Sequence, residues 1–296
     1  MKIGLFPHLG KKKAVSMARE IAEWLGIHGV GVLLEPEAAR ALDLPELASA
    51  LPEPADGEPS GGPATTVDVA VSLGGDGALL HTARALVGTG VPILGINLGH
   101  LGFLTEVGAE GAYDALERLL RNDYHIEERM MIEARAIRGG EEVARFVGLN
   151  DAVITKGAFA RMIRLATYVE GNHIGTYPAD GVIFATPTGS TAYSLSAGGP
   201  IVNPQVESFI ITYICPHTLF ARSFVISHTE SSRVVVIAPS EEIMLTVDGQ
   251  VGYPLMDGDE VMIRKSDYKT RLVKLAGRNF YELLRSRFSG LDRIPE

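Results

Sequence analysis

Four consecutive residues, Gly74-Gly75-Asp76-Gly77, separate an apolar run from a helical pattern and constrain the fold more than any other feature of the chain. The preceding residues 67–73 are apolar, which predicts a buried strand of a parallel sheet. The following residues 78–87 are predicted to form a helix. Ligands of open α/β sheets bind beyond the carboxyl ends of the strands, where glycines let backbone N–H groups approach a phosphate. The sequence therefore predicts an α/β domain with a candidate ligand site at this turn.

The carboxylate of Asp76 is the unusual member of this turn, because an anion among phosphate-binding amides repels phosphate. Two functions account for it: Asp76 binds Mg²⁺, or it removes a proton from a hydroxyl group that attacks a phosphate. A third interpretation is structural, in which Asp76 caps the helix that follows. The four residues alone favour the functional and structural interpretations equally.

The remainder of the N-terminal part alternates strand and helix, as in a parallel sheet. Strands are predicted at residues 2–6, 30–34 and 91–96, helices at 11–26 and 113–122, and a second glycine-containing loop at 97–103. Residues 35–66 are acidic and rich in Pro, Ala and Gly, with a short helix expected at 38–51 and a solvated loop at 52–66. No function is assigned to that segment.

From residue 125 onward the sequence no longer predicts alternating strands and helices. It predicts short strands separated by turns such as Asp248-Gly249. Strands are predicted at residues 131–137, 143–147, 152–155, 165–169, 181–185, 208–215, 233–238, 243–247, 260–265 and 272–275. The domain boundary is placed within residues 123–129, and a last helix is predicted at 279–288. The chain is thus divided into an α/β domain of residues 1–126, joined by residues 277–296, and an all-β domain of residues 127–276.

Composition excludes several classes of protein. The formal net charge of −9 argues against sequence-independent binding of nucleic acid, which needs a basic surface. The single cysteine, Cys215, excludes an intrachain disulfide and a cysteine-rich zinc site, and it is expected to be a buried, inert thiol. No apolar run approaches the roughly 18 residues of a membrane helix, and the N-terminus lacks a signal-peptide pattern. We therefore expect a soluble, cytoplasmic protein.

Familiar catalytic motifs are missing. Residues 4–10 do not match a Walker A loop, because five residues separate the two glycines and Lys11 is followed by Lys12. The sequence also lacks the Gly-x-Gly-x-x-Gly fingerprint, the Gly-x-Ser-x-Gly elbow, the His-Glu-x-x-His helix and the kinase His-Arg-Asp loop. Two weaker signals remain. Residues 186–200 combine six serine and threonine hydroxyl groups with three glycines, and Asn150-Asp151 stands at the start of a strand. Each suits a nucleotide, yet each is also typical of an ordinary loop or turn.

Taken together, these motifs resemble the NAD kinase family. The turn at residues 74–77, the Asn150-Asp151 pair, residues 186–200 and Val247-Asp248-Gly249-Gln250 occur in the order found in that family, and residues 95–104 are similar to its second glycine loop. The glycine turn alone is shared with lipid kinases and phosphofructokinases. The Thr188-Gly189-Ser190-Thr191-Ala192-Tyr193-Ser194 run is far more specific to NAD kinases.

The resemblance implies an enzyme that transfers the γ-phosphoryl group of ATP to the 2′-hydroxyl of the adenosine ribose of NAD, producing NADP. It implies a divalent metal, usually Mg²⁺, and some bacterial members also accept polyphosphate as donor. The implied fold is a Rossmann-like α/β domain plus a β-sandwich-like domain, with the C-terminal helix returning to the first domain. A homodimer or homotetramer is implied, and no membrane or nucleic-acid partner. No metal ligands are assigned.

The resemblance also implies roles for particular residues. Asp76 matches the proton acceptor of the family, while Asn150 and Asp151 match the pair that holds the adenosine, with Asp in place of the commoner Glu. Arg161 matches a basic residue that reaches a substrate from the β domain. Pro178 stands where several members have a basic contact residue, and proline cannot make that contact. The remaining residues that match nucleotide-binding positions are Gly74, Gly75, Gly77, His81, Phe103, Asp180, Thr191, Ala192, Tyr193, Ser194, Leu195, Ser196 and Gln250.

Two alternatives stay open at this point. A lipid kinase with the same glycine turn would need an acyl pocket or a membrane-binding face, and the sequence indicates neither. A non-catalytic NAD(P)-binding sensor would be expected to lack the base, whereas Asp76 is present. His100, in the second glycine loop, is the other histidine that we consider a candidate for the site.

Overall fold

The computed structural model describes residues 1–48, 67–99, 102–157, 161–218, 221–238, 242–275 and 279–288. The expected loop at residues 52–66 and the candidate His100 lie outside the described residues. No helix within the described residues is both long and apolar enough to span a membrane.

The N-terminal part is a parallel sheet flanked by helices. Its elements are β1 (Lys2–Pro7), α1 (Lys12–Ile27), β2 (Gly31–Leu34), α2 (Pro36–Leu42), β3 (Val69–Gly74), α3 (Asp76–Ala85), β4 (Ile93–Asn97), β5 (Val107–Gly108) and α4 (Ala112–Leu120). The strands pair in parallel in the order β2-β1-β3-β4-β5. The expected helix at residues 38–51 is wrong in extent. α2 ends at Leu42 because Asp43 adopts a left-handed conformation and Pro45 follows two residues later.

The C-terminal part is mostly antiparallel. Its elements are β6 (His125–Arg138), β7 (Glu141–Gly148), β8 (Asp151–Lys156), β9 (Ile163–Val169), β10 (Asn172–Ala179), β11 (Gly181–Ala185), α5 (Tyr193–Ser196), β12 (Ser208–Ile214), β13 (Phe224–Ser227), β14 (Ser232–Ile237), β15 (Ile243–Val247), β16 (Val251–Leu255), β17 (Glu260–Lys274) and α6 (Phe280–Phe288). Six of these strands form one sheet in the order β13-β12-β11-β8-β15-β16. This sheet packs against β6, β9, β14 and β17, and a common apolar core lies between them. The predicted fold class, an α/β domain plus a β-sandwich-like domain, is confirmed.

The two halves share one sheet through β17. This strand pairs with β6 along its length, lies beside β14 at its first residues, and pairs in parallel with β4 at Leu272. The sequence predicts two short strands here, because the apolar alternation lapses around Ser266-Asp267. The structure keeps the strand continuous and absorbs the lapse in a register shift between Lys265 and Lys269.

Cys215 is neither buried nor part of a strand, so that expectation was wrong. β12 ends at Ile214, and Cys215 has a φ of 44° and is exposed. A residue in the left-handed region cannot continue the ladder, which ends the strand one residue early and turns the thiol outward. The predicted C-terminal helix is present as α6. Asn279 caps it by accepting the N–H of Glu282, and the Tyr281 hydroxyl lies 3.1 Å from Nδ2 of Asn203.

The sandwich core predicts a large stability effect for Phe184, which is fully buried in β11. We expect Phe184→Ala to lower the free energy of unfolding by about 3–5 kcal/mol, because it removes a large apolar side chain and leaves a cavity. Chemical denaturation measures this. Val225→Ala, at a residue that is 50% exposed, should change stability by less than about 0.5 kcal/mol, and equal effects of the two substitutions would contradict this packing.

Candidate active site

The carboxylate of Asp76 is the centre of the site, and it is held by backbone amides of the second glycine loop. Oδ2 accepts the N–H of Phe103 at 2.8 Å, and Oδ1 accepts the N–H groups of Leu104 at 3.2 Å and Thr105 at 3.4 Å. Asp76 itself begins α3, directly after β3 and Gly75. A carboxylate has about four lone-pair sites. Three donors therefore leave it one site for a further proton donor.

Glycine is required where the two loops meet. A Cβ on Gly102 would lie 1.8 Å from Oδ1 of Asp76, and a Cβ on Gly74 would lie 2.5 Å from that of Ala78. The second loop is braced from within. Asn97 donates to Oγ1 of Thr105 at 3.1 Å, and that hydroxyl accepts the N–H of Gly102 at 3.0 Å. The glycines therefore allow the approach, and Asn97 and Thr105 keep the amides aimed at Asp76.

The Asn150-Asp151 corner, between β7 and β8, is built around a second carboxylate. Asp248 accepts the N–H groups of Leu149 at 2.8 Å, Asn150 at 2.7 Å and Asp151 at 3.1 Å. Asn150 is buried, and its Oδ1 has no hydrogen-bond partner among the described residues. A buried polar atom without a partner is uncommon in folded proteins and indicates a place for a ligand group.

Residues 186–191 close over this corner. The N–H of Thr186 donates to the carbonyl of Asn150 at 2.8 Å. Its hydroxyl donates to the carbonyl of Leu149 at 2.6 Å and accepts the N–H of Gly189. A Cβ on Gly189 would lie 2.1 Å from the Asn150 carbonyl oxygen. Behind this segment, the buried Arg129 donates to Oγ1 of Thr188 at 3.2 Å. The hydroxyl-rich segment is thus fixed directly on the Asn150-Asp151 corner.

The two acidic side chains of the corner affect each other. Burial, and next the negative charge of Asp248, raise the pKa of Asp151 to about 7. Burial also raises the pKa of Asp248, while the three N–H donors and the charge of Arg84 act in the opposite direction. A side chain that accepts three N–H groups is best matched by the ionised form, so we place the negative charge on Asp248 and the shared proton on Asp151.

A cavity of about 480 Å³ opens beside Gly77 and extends between β1 and α3. His8, His81 and Gln250 line it. Gln250 crosses from the β domain and donates from Nε2 to the carbonyl of Gly77 at 2.7 Å. Burial, with the charges of Arg84 and His8, lowers the pKa of His81, which makes its imidazole neutral near pH 7.

A second cavity, of about 350 Å³, lies on the other side of the Asp76 loop. Phe103, Arg129 and Asn203 border it, and Tyr281 of α6 forms part of its wall. Phe103 therefore has two contacts at the site: it borders this cavity, and its N–H group donates to Asp76.

The other predicted residues lie either on the hydroxyl-rich segment or away from the corner. Ala192 and Tyr193 lie at the start of α5, where Tyr193 is exposed, while the Ser194 hydroxyl is buried against Thr212. The partly buried or exposed members of the same segment are Thr191, Leu195 and Ser196. Asp180 directly precedes β11, about 20 Å from Thr186 at the other end of this strand. Arg161 is exposed before β9. Within one chain, Asp180 is not brought to the corner.

Sequence reasoning missed several residues of the site. Asp248 belongs to an Asp-Gly turn, which predicts a hairpin. Its hydrogen bond with the N–H of Asn150 joins residues 98 positions apart, so no local sequence pattern predicts it. The sequence predicts Gly102 as one glycine of a loop, but not its contact with Asp76. His8 follows directly after β1, the position at which residues of parallel sheets meet ligands, and this is a signal that the sequence did contain.

An α/β domain whose glycine turn presents a carboxylate, joined to a β-sandwich, is the arrangement of a kinase that phosphorylates an alcohol. Two family models match the chain: the ATP-NAD kinase N-terminal domain over residues 3–124 and the ATP-NAD kinase C-terminal domain over residues 149–275. An NAD kinase of Caldanaerobacter subterraneus subsp. tengcongensis is 43% identical over 288 residues, which cover 97% of this chain and 99% of that protein. An NAD kinase of Symbiobacterium thermophilum is 46% identical over 290 residues, which cover 98% and 99%.

Solved structures agree with the fold. A yeast NADH kinase complexed with NADH superposes with a TM-score of 0.80 at 24% identity, covering 99% of this chain and 88% of that one, and this likeness concerns the fold alone. An NAD kinase from Archaeoglobus fulgidus in complex with ATP superposes with a TM-score of 0.73 at 25% identity, covering 97% and 98%. The chain belongs to the NAD kinase family. The predicted function and enzyme class are confirmed, and neither the lipid kinase nor the sensor receives support.

Gly102→Ala tests the contact between the two glycine loops. The new Cβ would occupy the place of Oδ1 of Asp76, so the carboxylate has to move. We expect kcat for NAD phosphorylation to fall about 10²-fold, the effect typical of a displacement near 1 Å in a catalytic group. Gly108→Ala is the matched control, because nothing lies within 4 Å of its Cβ. Steady-state kinetics decide, and a Gly102→Ala enzyme with wild-type kcat would contradict the geometry.

The raised pKa of Asp151 predicts a pH dependence of stability. An acid whose pKa is higher in the folded than in the unfolded protein stabilises the fold at low pH, and this contribution is lost as the pH rises through the folded value. The free energy of unfolding of the wild type, relative to Asp151→Asn, should therefore fall from about pH 4 to about pH 7 and then level off. Denaturant titrations over this range measure it. A difference that does not vary with pH would argue against a buried, protonated Asp151.

Proposed function

We propose that this chain transfers the γ-phosphoryl group of MgATP to the 2′-hydroxyl of the adenosine ribose of NAD, with Asp76 as the proton acceptor. The observation that supports this most is the carboxylate of Asp76, held open for one further donor by three backbone N–H groups and flanked by two cavities. The hydroxyl proton passes to Asp76 while the oxygen bonds to the γ-phosphorus and the bond to ADP breaks.

The adenosine of NAD is assigned to the Asn150-Asp151 corner. Oδ1 of Asn150 is a buried acceptor that lacks a protein donor, and an adenosine offers an amino group and ribose hydroxyls as donors. Tyr193, which is 44% exposed, presents a ring face at the edge of the same segment. These contacts would orient the ribose before the reaction, which is how kinases gain most of their rate.

The triphosphate of ATP is assigned to the cavity beside Gly77. The N-terminus of α3 borders this cavity at Gly77 and Ala78, where the helix dipole favours an anion, and His8 and His81 supply imidazole donors. Mg²⁺ would enter with the donor. Among the described residues no group of three or more His, Cys, Asp or Glu side chains could cage a metal ion. Mg²⁺ bound through phosphate oxygens and water needs no such cage, and it would neutralise charge on the transferred group. Polyphosphate is the alternative donor.

A homodimer or homotetramer is part of the proposal. Asp180 lies at the far end of β11 from the corner, so a role of Asp180 at the nucleotide would require a second copy of the chain to bring it there. Exposed apolar residues on the β domain, such as Val206, Ile174 and Met256, provide surface for association. The cytoplasm, where NAD and ATP occur together, is the location that we propose for the reaction.

The deciding experiment is a coupled assay. Purified protein is incubated with NAD, ATP and Mg²⁺, and NADP is detected with an NADP-specific dehydrogenase. We expect NADP from the wild type and a loss of kcat of about 10²–10⁴-fold in Asp76→Asn, because the base is removed while NAD still binds. Binding of NAD is checked by calorimetry.

Parallel reactions with polyphosphate as donor and NADH as acceptor define the substrate range. Asp76→Asn that folds, binds NAD and retains wild-type kcat would overturn the assignment of the base. A wild type that binds NAD yet forms no product with any donor would overturn the proposed reaction.

A further inference from the structure

We infer that the turn joining β15 to β16, Asp248-Gly249-Gln250, is a positioning element that aligns the Asn150-Asp151 corner with the Asp76 loop. The inference rests on the proposed function, since it assigns these two parts to NAD and to phosphoryl transfer. It adds Asp248 to the residues that determine activity, and it gives Gln250 a role that does not require contact with substrate.

One end of the turn holds the β domain. The carboxylate of Asp248 accepts three successive N–H groups, those of Leu149, Asn150 and Asp151, and its own N–H donates to the carbonyl of Asp151 at 3.0 Å. Hydrogen bonds to an ionised acceptor are about twice as strong as neutral ones. Four bonds to one side chain and its backbone therefore fix both the position and the direction of the corner.

The backbone of the turn is specialised for this contact. Asp248 has a φ of 52° and Gly249 a φ of 63°, the two positive φ values that the central residues of a type I′ turn require. Asp is one of the few residues with a side chain that tolerates this conformation. Across the contact, a Cβ on Gly148 would lie 2.4 Å from Cγ1 of Val247 and 2.9 Å from Oδ1 of Asp248. The corner can approach the carboxylate only because residue 148 is glycine.

The other end of the turn holds the α/β domain. Gln250 donates from Nε2 to the carbonyl of Gly77 at 2.7 Å, and Gly77 is the neighbour of Asp76. The N–H of Gln250 donates to the carbonyl of Val247 at 3.0 Å, which closes the turn and makes it rigid. Two residues apart, Asp248 and Gln250 thus bind opposite halves of the site. A shift in the turn changes the distance between the nucleotide corner and Asp76, on which the rate depends steeply.

Two substitutions separate the two ends. Asp248→Asn removes the charge and should raise Kd for NAD about 10- to 100-fold, the loss expected when charge-assisted hydrogen bonds are weakened. Gln250→Met is similar in size but cannot donate, and should lower kcat about 10-fold, more than it raises Kd for NAD. Asp257→Asn is the matched control, because Asp257 begins another Asp-Gly turn and accepts one backbone N–H, from Ala238, away from the site. It should retain wild-type kcat and Kd.

The titration of Asp151 reports whether Asp248 carries the negative charge of the corner. The groups that set the charge around Asp151 are Asp248 on the turn and, through Asp248, Arg84 on α3. In Asp248→Asn the carboxyl resonance of Asp151, followed by carbon-13 NMR, should therefore titrate at lower pH than in the wild type. Calorimetry with NAD needs no turnover, so it tests the positioning role even if the proposed reaction fails.

The inference is overturned if Asp248→Asn folds and binds NAD with the wild-type Kd. It is equally overturned if Gln250→Met has the kinetics of the wild type. Should Asp248→Asn fail to fold, Gln250→Met decides the question by its split between kcat and Kd. Failure of the proposed function is a separate result, namely a wild type that forms no NADP from NAD and MgATP.

Discussion

The site depends on one interaction, the hydrogen bonds that the backbone N–H groups of Phe103, Leu104 and Thr105 donate to the carboxylate of Asp76. A carboxylate at the start of a helix can point in several directions, and this one is fixed by donors that come from the next strand of the sheet. The contact needs a glycine at residue 102 and a loop braced by Asn97. These requirements explain why two glycine loops follow neighbouring parallel strands, β3 and β4, and why they act as one unit.

The same physical arrangement occurs twice. Asp248 holds Leu149-Asn150-Asp151 in the β domain as Asp76 is held in the α/β domain: in each case one carboxylate receives three consecutive N–H groups. The two carboxylates nevertheless serve opposite purposes. Asp248 fixes the Asn150-Asp151 corner, whereas Asp76 is the carboxylate that we propose meets the substrate hydroxyl. The long strand β17 pairs with β4 and with β6, so it joins the parallel sheet that bears Asp76 to one layer of the sandwich, while Asp248 lies on the other layer.

Much of this could be predicted from local pattern. The strand, glycine turn and helix around Asp76 are neighbours in sequence, and the order of the motifs indicated the family and with it the Asn150-Asp151 pair. What could not be predicted depends on distant contacts. The edge strands β10 and β16 contain Pro178 and Pro254, which argue against a strand unless its edge position is known. The union of β17 into one strand, the exposure of Cys215 and the role of Asp248 are likewise decided by tertiary partners.

The central claim is that the two domains present the adenosine ribose of NAD to a carboxylate that is already oriented. A crystal structure of the protein with NAD bound tests it most directly. The account predicts that the 2′-hydroxyl oxygen lies within about 3.2 Å of a carboxylate oxygen of Asp76, the reach of a general base, with the amides of residues 103–105 still bound to that carboxylate. A ribose placed against another side chain, or an Asp76 that releases these amides to meet it, would contradict the account.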